Sequence, residues 1–486
     1  MDEIANKTKK SLYWQTILPL LWQLGTFALS IITARLLDPR DFGIMGIASI
    51  IILYSNKLTE FGFTNSLIQR KEIESSHIDV IFTLNILMSV ILTVATFLLA
   101  PYIASEFEIP ELKNVIKVMS VVFLITSFVQ IPESLLKRDV NYKFYSILSI
   151  IQSIVMSAIT LALAYFSFGY WSLIAGFVIS YALYALALTI MSTWKIRFRF
   201  SLKILKDIFN FSMWNFVLMQ FSMLNEYADK FIVGRFLGPS VLGIYEKAYQ
   251  IAYMPILNIS MKINGIMFST FSRYQDNQSK LVEYFYKIVS LNTLVCFPIL
   301  WGLVSVDKYF IYILLGEKWM SIVPPLRILV SAFSFRVLIG LMDSLIISSG
   351  DYRLHIKIRS GMIILLISLM VFFVGKGINY IAILVMFFNL IIFILSFIIA
   401  RKHIELPIFN LIKYMGPSIL LTSIMYLTIR ILSKTILSDM TLLNLSLLVG
   451  IGVVLYISSF FVFNFKATQY LKSEVQQKLK VIMNAI

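Results

Sequence analysis

The sequence predicts an all-α polytopic membrane protein, and three observations carry that prediction. Apolar residues make up 59% of the 486-residue chain and charged ones only 14%, against roughly 45–50% and about 25% in soluble domains. Apolar runs near the ~20 residues that cross a bilayer recur along its length, and the mean hydropathy is +0.84. A transmembrane β-barrel would instead alternate apolar and polar residues in segments of about 10, a pattern this chain lacks.

About fourteen transmembrane helices are expected, each an apolar run bounded by polar, Pro or Gly residues. The first falls at 12–36, after Lys7, Lys9 and Lys10, and is a retained helix because no small-residue cleavage site interrupts it. The next five fall at 42–63, 78–104, 112–136, 142–166 and 170–192, followed by a basic connection at 193–207. Six more are placed at 208–237, 241–271, 281–306, 325–348, 356–374 and 378–400, and two last ones at 411–431 and 442–463.

Two turns organise this series. ARLLDPRDFGIM begins at Ala34 and GRFLGPSVLGIY at Gly234, an offset of 234 − 34 = 200 residues without a gap. Arg35/Arg235, Leu37/Leu237, Pro39/Pro239, Gly43/Gly243 and Ile44/Ile244 coincide. Asn141-Tyr142-Lys143 echoes Asp351-Tyr352-Arg353, and the Gly169 turn echoes the Gly377 turn. The expected organisation is therefore a six-helix bundle at 1–192, a linker at 193–207, a second bundle at 208–400, and two extra helices with a basic tail at 401–486. Six is an even number, so the two copies are parallel rather than inverted repeats.

Charge sets the orientation. Lys137/Arg138/Lys143, Lys195/Arg197/Arg199/Lys203/Lys206, Arg273/Lys280, Arg353/Lys357/Arg359 and Arg401/Lys402 all follow even-numbered helices. Basic loops stay in the cytoplasm, so both termini are expected there, the tail with Lys466, Lys472, Lys478 and Lys480 included. The net charge of +16 thus signals orientation and anionic lipid head groups rather than nucleic acid.

Chemistry is excluded more readily than assigned. No G-x-x-x-x-G-K-[ST] phosphate loop occurs. The lone Cys296 forms no disulfide within the chain, and His77, His355 and His403 sit in or beside connections, so no metal site is expected. No connection is long enough for a catalytic domain, so the chain is expected to be neither an enzyme nor a cofactor protein.

The informative residues are polar ones inside helices, since a mid-membrane charge costs at least ~2.5–3.5 kcal/mol. Arg336 is central to helix 10, as an anion-binding group or as half of a buried pair. Helix 7 aligns Asn215, Ser222, Glu226 and Asp229 on one face, and helix 8 aligns Glu246, Gln250, Tyr253, Ser260 and Asn264. Lys230 with Glu246, or Asp229 with Lys247, forms either an ion pair or part of an outward gate. Lys57 and Lys262 either snorkel to the head groups or capture an anionic head group. Gln15, Trp22, Thr26 and Thr33 share a face of helix 1, for packing or for sugar contact. Arg35 and Arg235 are interface anchors or rim cations.

ARLLDPRDFGIMG with FTNSLIQRKE, and DKFIVGRFLGPSVLGIYEKAYQIAYMP in the second copy, resemble the multidrug/oligosaccharidyl-lipid/polysaccharide exporter superfamily in its polysaccharide transporter branch. The colanic acid and teichuronic acid exporters and Wzx-type O-antigen flippases are similar. Asp229, Arg235, Gly238, Gly243, Tyr245, Ala248, Tyr249 and Pro255 match the second-copy pattern. Glu246, Lys247 and Gln250 depart from it, adding a carboxylate to a cavity that relatives keep cationic.

The resemblance implies a MATE-like fold of two bundles around a cavity. It also implies translocation of an undecaprenyl-pyrophosphate-linked oligosaccharide across the bacterial cytoplasmic (inner) membrane by alternating access. The precursor would serve O-antigen, capsule or exopolysaccharide synthesis, with a polymerase and glycosyltransferases as pathway partners. Physical logic agrees: a polyprenyl tail stays in lipid while the head crosses, and Arg and Lys suit its pyrophosphate. Helices 13 and 14 offer a groove for the tail. The alternatives are a cation-coupled multidrug antiporter using Glu226, Asp229 or Asp343, and a membrane polysaccharide polymerase or glycosyltransferase.

Overall fold

The computed structural model describes residues 22–23, 25–60, 67, 73–139, 141–274, 277–349 and 352–463. Among these every regular element is helical. The helices are α1 (Gly25–Leu36), α2 (Pro39–Glu60), α3 (Ser75–Glu106), α4 (Glu111–Arg138), α5 (Tyr142–Tyr165), α6 (Tyr170–Met191) and α7 (Leu202–Leu237). They continue with α8 (Pro239–Arg273), α9 (Gln278–Ser305), α10 (Val323–Ser348), α11 (Tyr352–Phe373), α12 (Ile378–Ala400), α13 (Ile408–Thr435) and α14 (Leu442–Val462). Eleven helices among the described residues are long and apolar enough to cross a membrane. The segments α1, α2 and α7 fall outside that set, so the expected fourteen crossings rest on the sequence. The beginning of the first expected helix and the basic tail lie outside the described residues.

The chain divides into two compact units, Met1–Ile244 and Tyr245–Ile486. In the first, α2 packs on α3, α4, α6 and α7, while α3 pairs with α4 and α5 with α6. Its buried face is wholly apolar: Ile44, Ile47, Ala48 and Ile52. Between α3 and α4 the amide of Asn85 donates to Gln130 at 2.8 Å, a polar seam sealed away from lipid. Helix α7 starts at Leu202, six residues before the expected 208, because the Ser201 side chain caps it by accepting from the Ile204 amide. The basic connection is correspondingly shorter.

In the second unit, α10 packs on α12, α9 on α13, and α13 on α14. Gly377, at φ +95°, starts α12 as Gly169, at φ +55°, starts α6. Both positions need a left-handed backbone that glycine adopts without cost, so the two echoing turns do the same local work. Large apolar side chains such as Leu443, Val454 and Val462 on α14 are exposed, which suits hydrocarbon rather than water.

The second unit also holds an irregularity that periodicity did not announce. After Pro255, residues Ile256–Ser260 form a π-helical turn inside α8. One extra residue in the turn rotates everything beyond it by roughly 100°. The expected stripe on helix 8 therefore splits. Ser260 is buried and accepts from the Asn292 amide at 3.0 Å, and Asn264 lies against Gly340, where a Cβ would come within 2.1 Å of it. Gln250, above the π turn, is exposed. Ser260 and Asn264 serve helix packing rather than one continuous polar face with Gln250.

Candidate functional site: a membrane-embedded cation among aromatic rings

The matched turns meet in the first unit. A Cβ on Gly43 would lie 1.7 Å from the Pro239 carbonyl oxygen, and one on Gly243 would lie 1.9 Å from that of Pro39. Each glycine thus presses its backbone against the proline of the other turn, an approach that no side chain permits. The turns are built differently. In the first, Asp38 donates its amide to Asp41 Oδ2 at 2.9 Å, whereas the second bends at Gly238 with φ +83°.

The rim cations also differ. Arg235 donates from Nε and a terminal nitrogen to Glu106 Oε1, at 3.2 and 3.0 Å. Arg35 is exposed. Arg40, not singled out in the sequence, pairs with Glu111 at 2.6 Å. Arg235 thus ties the turn to the end of α3.

On α7, Asp229 and Lys230 are both buried. Asp229 Oδ1 accepts the Lys230 amide at 2.8 Å, and the Lys230 ammonium lies 5.3 Å from the Tyr227 ring centroid. Glu226 is exposed, so it and Asp229 do not share one environment, although three residues separate them. The side chains of Asn215 and Ser222 lie outside the described ones. Lys57 is half-buried in the last turn of α2. On α1, Thr26 and Thr33 return their hydroxyls to the carbonyls of Gln23 and Leu29 in their own helix, as packing residues do; Gln15 lies outside the described residues.

The second unit assembles the strongest chemical feature. On α8, Tyr245, Tyr249 and Tyr253 follow at four-residue spacing, their rings 6.4 and 5.5 Å apart. Phe333 of α10 stands edge-on to Tyr249 at 4.9 Å and lies 5.2 Å from Tyr253. Against these rings lies Arg336. Its guanidinium donates to the Tyr249 hydroxyl at 3.2 Å and stands 4.8 Å from the Tyr253 centroid. Aromatic faces attract cations more strongly where water is scarce, and a planar guanidinium stacks where an ammonium would not. Glu246 is half-buried and Lys247 buried on the same helix, while Lys262, below the π turn, is half-buried. The tyrosine spacing was visible in the sequence. Phe333 was not, because nothing in a chain with 39 phenylalanines marks one of them.

A second charged centre escaped sequence reasoning altogether. Asp307 is fully buried after α9, where Arg327 and Arg430 both bond its carboxylate. Arg430 also donates to the Val304 carbonyl at 2.7 Å, and the Tyr309 hydroxyl sits 2.7 Å from the Ser433 and Leu437 carbonyl oxygens. These bonds tie the start of the α9–α10 connection to the end of α13. An apolar cavity of about 310 Å³ lies between α9, α10, α12 and α13, with Trp301, Phe335, Phe393 and Tyr426 in its lining. No group of three or more His, Cys, Asp or Glu suited to a metal occurs among the described residues.

Comparison with known proteins places this architecture. Residues 32–324, more than half of the chain, match the family described as polysaccharide biosynthesis protein. The lipopolysaccharide biosynthesis protein WzxC of Escherichia coli K12 is 28% identical over 333 residues, covering 67% of each chain. The teichuronic acid biosynthesis protein TuaB of Bacillus subtilis 168 is 30% identical over 319 residues, covering 64% of this chain and 65% of its own. Among solved structures, the lipid II flippase MurJ in an inward closed conformation aligns with a TM-score of 0.75 at 14% identity, over 94% of this chain and 99% of that one. A multidrug resistance MATE family transporter aligns at 0.60 and 15% identity, over 80% and 94%. The fold is that of MurJ and the MATE transporters, and the chain is a member of the polysaccharide biosynthesis protein family.

Proposed function

We propose that this chain is a flippase for undecaprenyl-pyrophosphate-linked oligosaccharide repeat units in the bacterial cytoplasmic membrane. It works by alternating access, without catalysing a covalent step. The observation that carries the reading is Arg336, a cation in mid-span held by Tyr249, Tyr253 and Phe333. A permanent charge is costly there, and an anionic head group gives it a use that packing does not. Guanidinium bonds a pyrophosphate through several N–H groups at once. Tyr249 and Tyr253 keep the guanidinium ready while no substrate is present, and their rings offer apolar faces to sugar rings.

The basic connections after even-numbered helices support cytoplasmic termini, with the two matched turns on the far side. The six-plus-six-plus-two division of the chain is part of the same proposal. The apolar cavity beside α13 supports a seat for the isoprenoid tail, outside the polar path. A polymerase and glycosyltransferases of the same pathway would take and supply the substrate. Of the three carboxylates that an ion-coupled antiporter would draw on, Asp343 pairs with Arg359 at 3.0 Å.

The test is transport of labelled lipid-linked oligosaccharide in reconstituted vesicles. Arg336→Gln is expected to slow transport by roughly ten- to a hundredfold, the worth of a charge-assisted hydrogen bond, with Arg336→Lys between it and the parent. Folded parent protein that gives no more transport than empty vesicles sinks the proposal. Arg336→Gln at the parent rate removes Arg336 from it.

A further inference from the structure

The connection between α6 and α7 has a chemistry that transport does not use. From Lys195 to Lys206 the chain reads KIRFRFSLKILK, with five cations and no carboxylate in twelve residues. Residues 192–201 are non-helical, and within them cations alternate with large apolar side chains. Phe198, Phe200 and Leu202 are 70%, 61% and 70% exposed, and Lys195, Arg197, Arg199, Lys203 and Lys206 are exposed beside them.

This stretch is nevertheless fastened. The Trp194 indole donates to the buried Asp79 carboxylate at 3.0 Å, and the Arg199 amide donates to Thr83 Oγ1 at 2.9 Å. Phe82 meets the Trp194 ring at 5.0 Å and the Phe198 ring at 5.7 Å. Three anchor points on the start of α3 thus hold a segment that still presents Phe, Leu, Arg and Lys outward. In water, that arrangement leaves apolar surface wetted and like charges crowded. At the surface of a bilayer both are resolved at once: rings enter the acyl boundary while cations meet phosphates. The segment follows directly on the membrane-length helix α6, which places it at head-group level.

We propose that residues 195–206 form a binding site for anionic phospholipid head groups, a lipid contact separate from the transported substrate. Phe200 and Leu202 reach the acyl boundary, and the five cations gather phosphates.

Two measurements test it, neither of which needs substrate. The first is titration of the full-length protein in neutral nanodiscs with phosphatidylglycerol, with bound lipids counted by native mass spectrometry. The triple variant Arg197→Gln/Arg199→Gln/Lys203→Gln leaves the Arg199 amide bond to Thr83 in place. At about fivefold per cation, it is expected to bind roughly a hundredfold more weakly. Arg401→Gln/Lys402→Gln, at another basic connection, is expected to change this site little. Equal affinity of parent and triple variant, or equal affinity for phosphatidylglycerol and phosphatidylcholine, overturns the proposal.

The second measurement places a nitroxide at Phe200→Cys in a Cys296→Ala background and compares its collisions with oxygen and with a water-soluble nickel complex. Preference for oxygen, at interfacial depth, is expected in anionic vesicles. A fully water-accessible label overturns the proposal even if the triple variant fails to fold.

Discussion

The two matched turns and the helices that leave them behave oppositely. Up to residue 44 and its counterpart 244 the copies coincide at Arg35/Arg235, Leu37/Leu237, Pro39/Pro239, Gly43/Gly243 and Ile44/Ile244, and each glycine presses on the proline carbonyl of the other turn with nearly equal closeness, 1.7 and 1.9 Å. Beyond that point Ala48/Ala248 and Ile51/Ile251 still coincide, but most positions at the same 200-residue offset are unlike. Ile47 stands opposite Lys247, Ser49 opposite Tyr249 and Leu53 opposite Tyr253. Ile47 and Lys247 are both buried, 2% and 5% exposed, so equal burial holds an apolar side chain in one helix and an ammonium in the other. Turn geometry is a constraint that both copies must meet. The helix faces below are where the copies were free to diverge.

The largest effect is expected at Ile47. Truncation to Ala opens a cavity in an apolar interface, where large-to-small changes cost 2–5 kcal/mol. Ile47→Ala is expected to lower stability by about 3 kcal/mol in detergent-solubilised unfolding, while transport per folded molecule is kept. Loss of transport at unchanged stability would place chemistry in the first copy as well.

Next come the glycines. Gly43→Ala and Gly243→Ala each drive a methyl into a backbone carbonyl, and each is expected to cost about 2 kcal/mol. The two losses should agree within about 1 kcal/mol. Gly450→Ala, where a Cβ meets nothing within 4 Å, is the control and should be close to neutral. If either turn glycine tolerates Ala as well as Gly450 does, the crossing is not held as described.

The smallest structural effect is expected at Lys247. Lys247→Met removes the cost of burying an ammonium together with its attraction to Glu246, and these opposing terms are expected to leave stability within about 1 kcal/mol. Its effect belongs in transport, as a fall of about tenfold from losing a charge-assisted contact. Destabilisation with unchanged transport per folded molecule would turn Lys247 into a packing residue like its counterpart.

Most helices could be placed from the chain alone, because the information is local. Apolar run length sets membrane spans, and Pro39, Pro239, Gly169 and Gly377 mark turns through their own backbone preferences. The 378–400 helix matches the observed Ile378–Ala400 at both ends, since Gly377 and Arg401 bound an uninterrupted apolar run. The start of α7 was misplaced because the cap at Ser201 begins a helix within a basic stretch. The helix 8 stripe failed for a different reason. Ideal periodicity was carried through a π turn, and a rotation of that kind moves every later side chain to another face.

Sequence by itself determined that this is a multi-span helical membrane protein in which one turn is echoed 200 residues further on. It singled out Arg336, because a lone cation in an apolar run is conspicuous on any hydropathy argument. Only the tertiary structure decided what Arg336 touches, which glycine meets which proline, and that Asp307 holds Arg327 and Arg430 across 20 and 123 residues. The reason is physical. Span length and turn type depend on neighbours along the chain, whereas partners across helices depend on rotation and tilt. A helix that is apolar all round carries no stripe from which rotation can be read; close packing between helices has to set it.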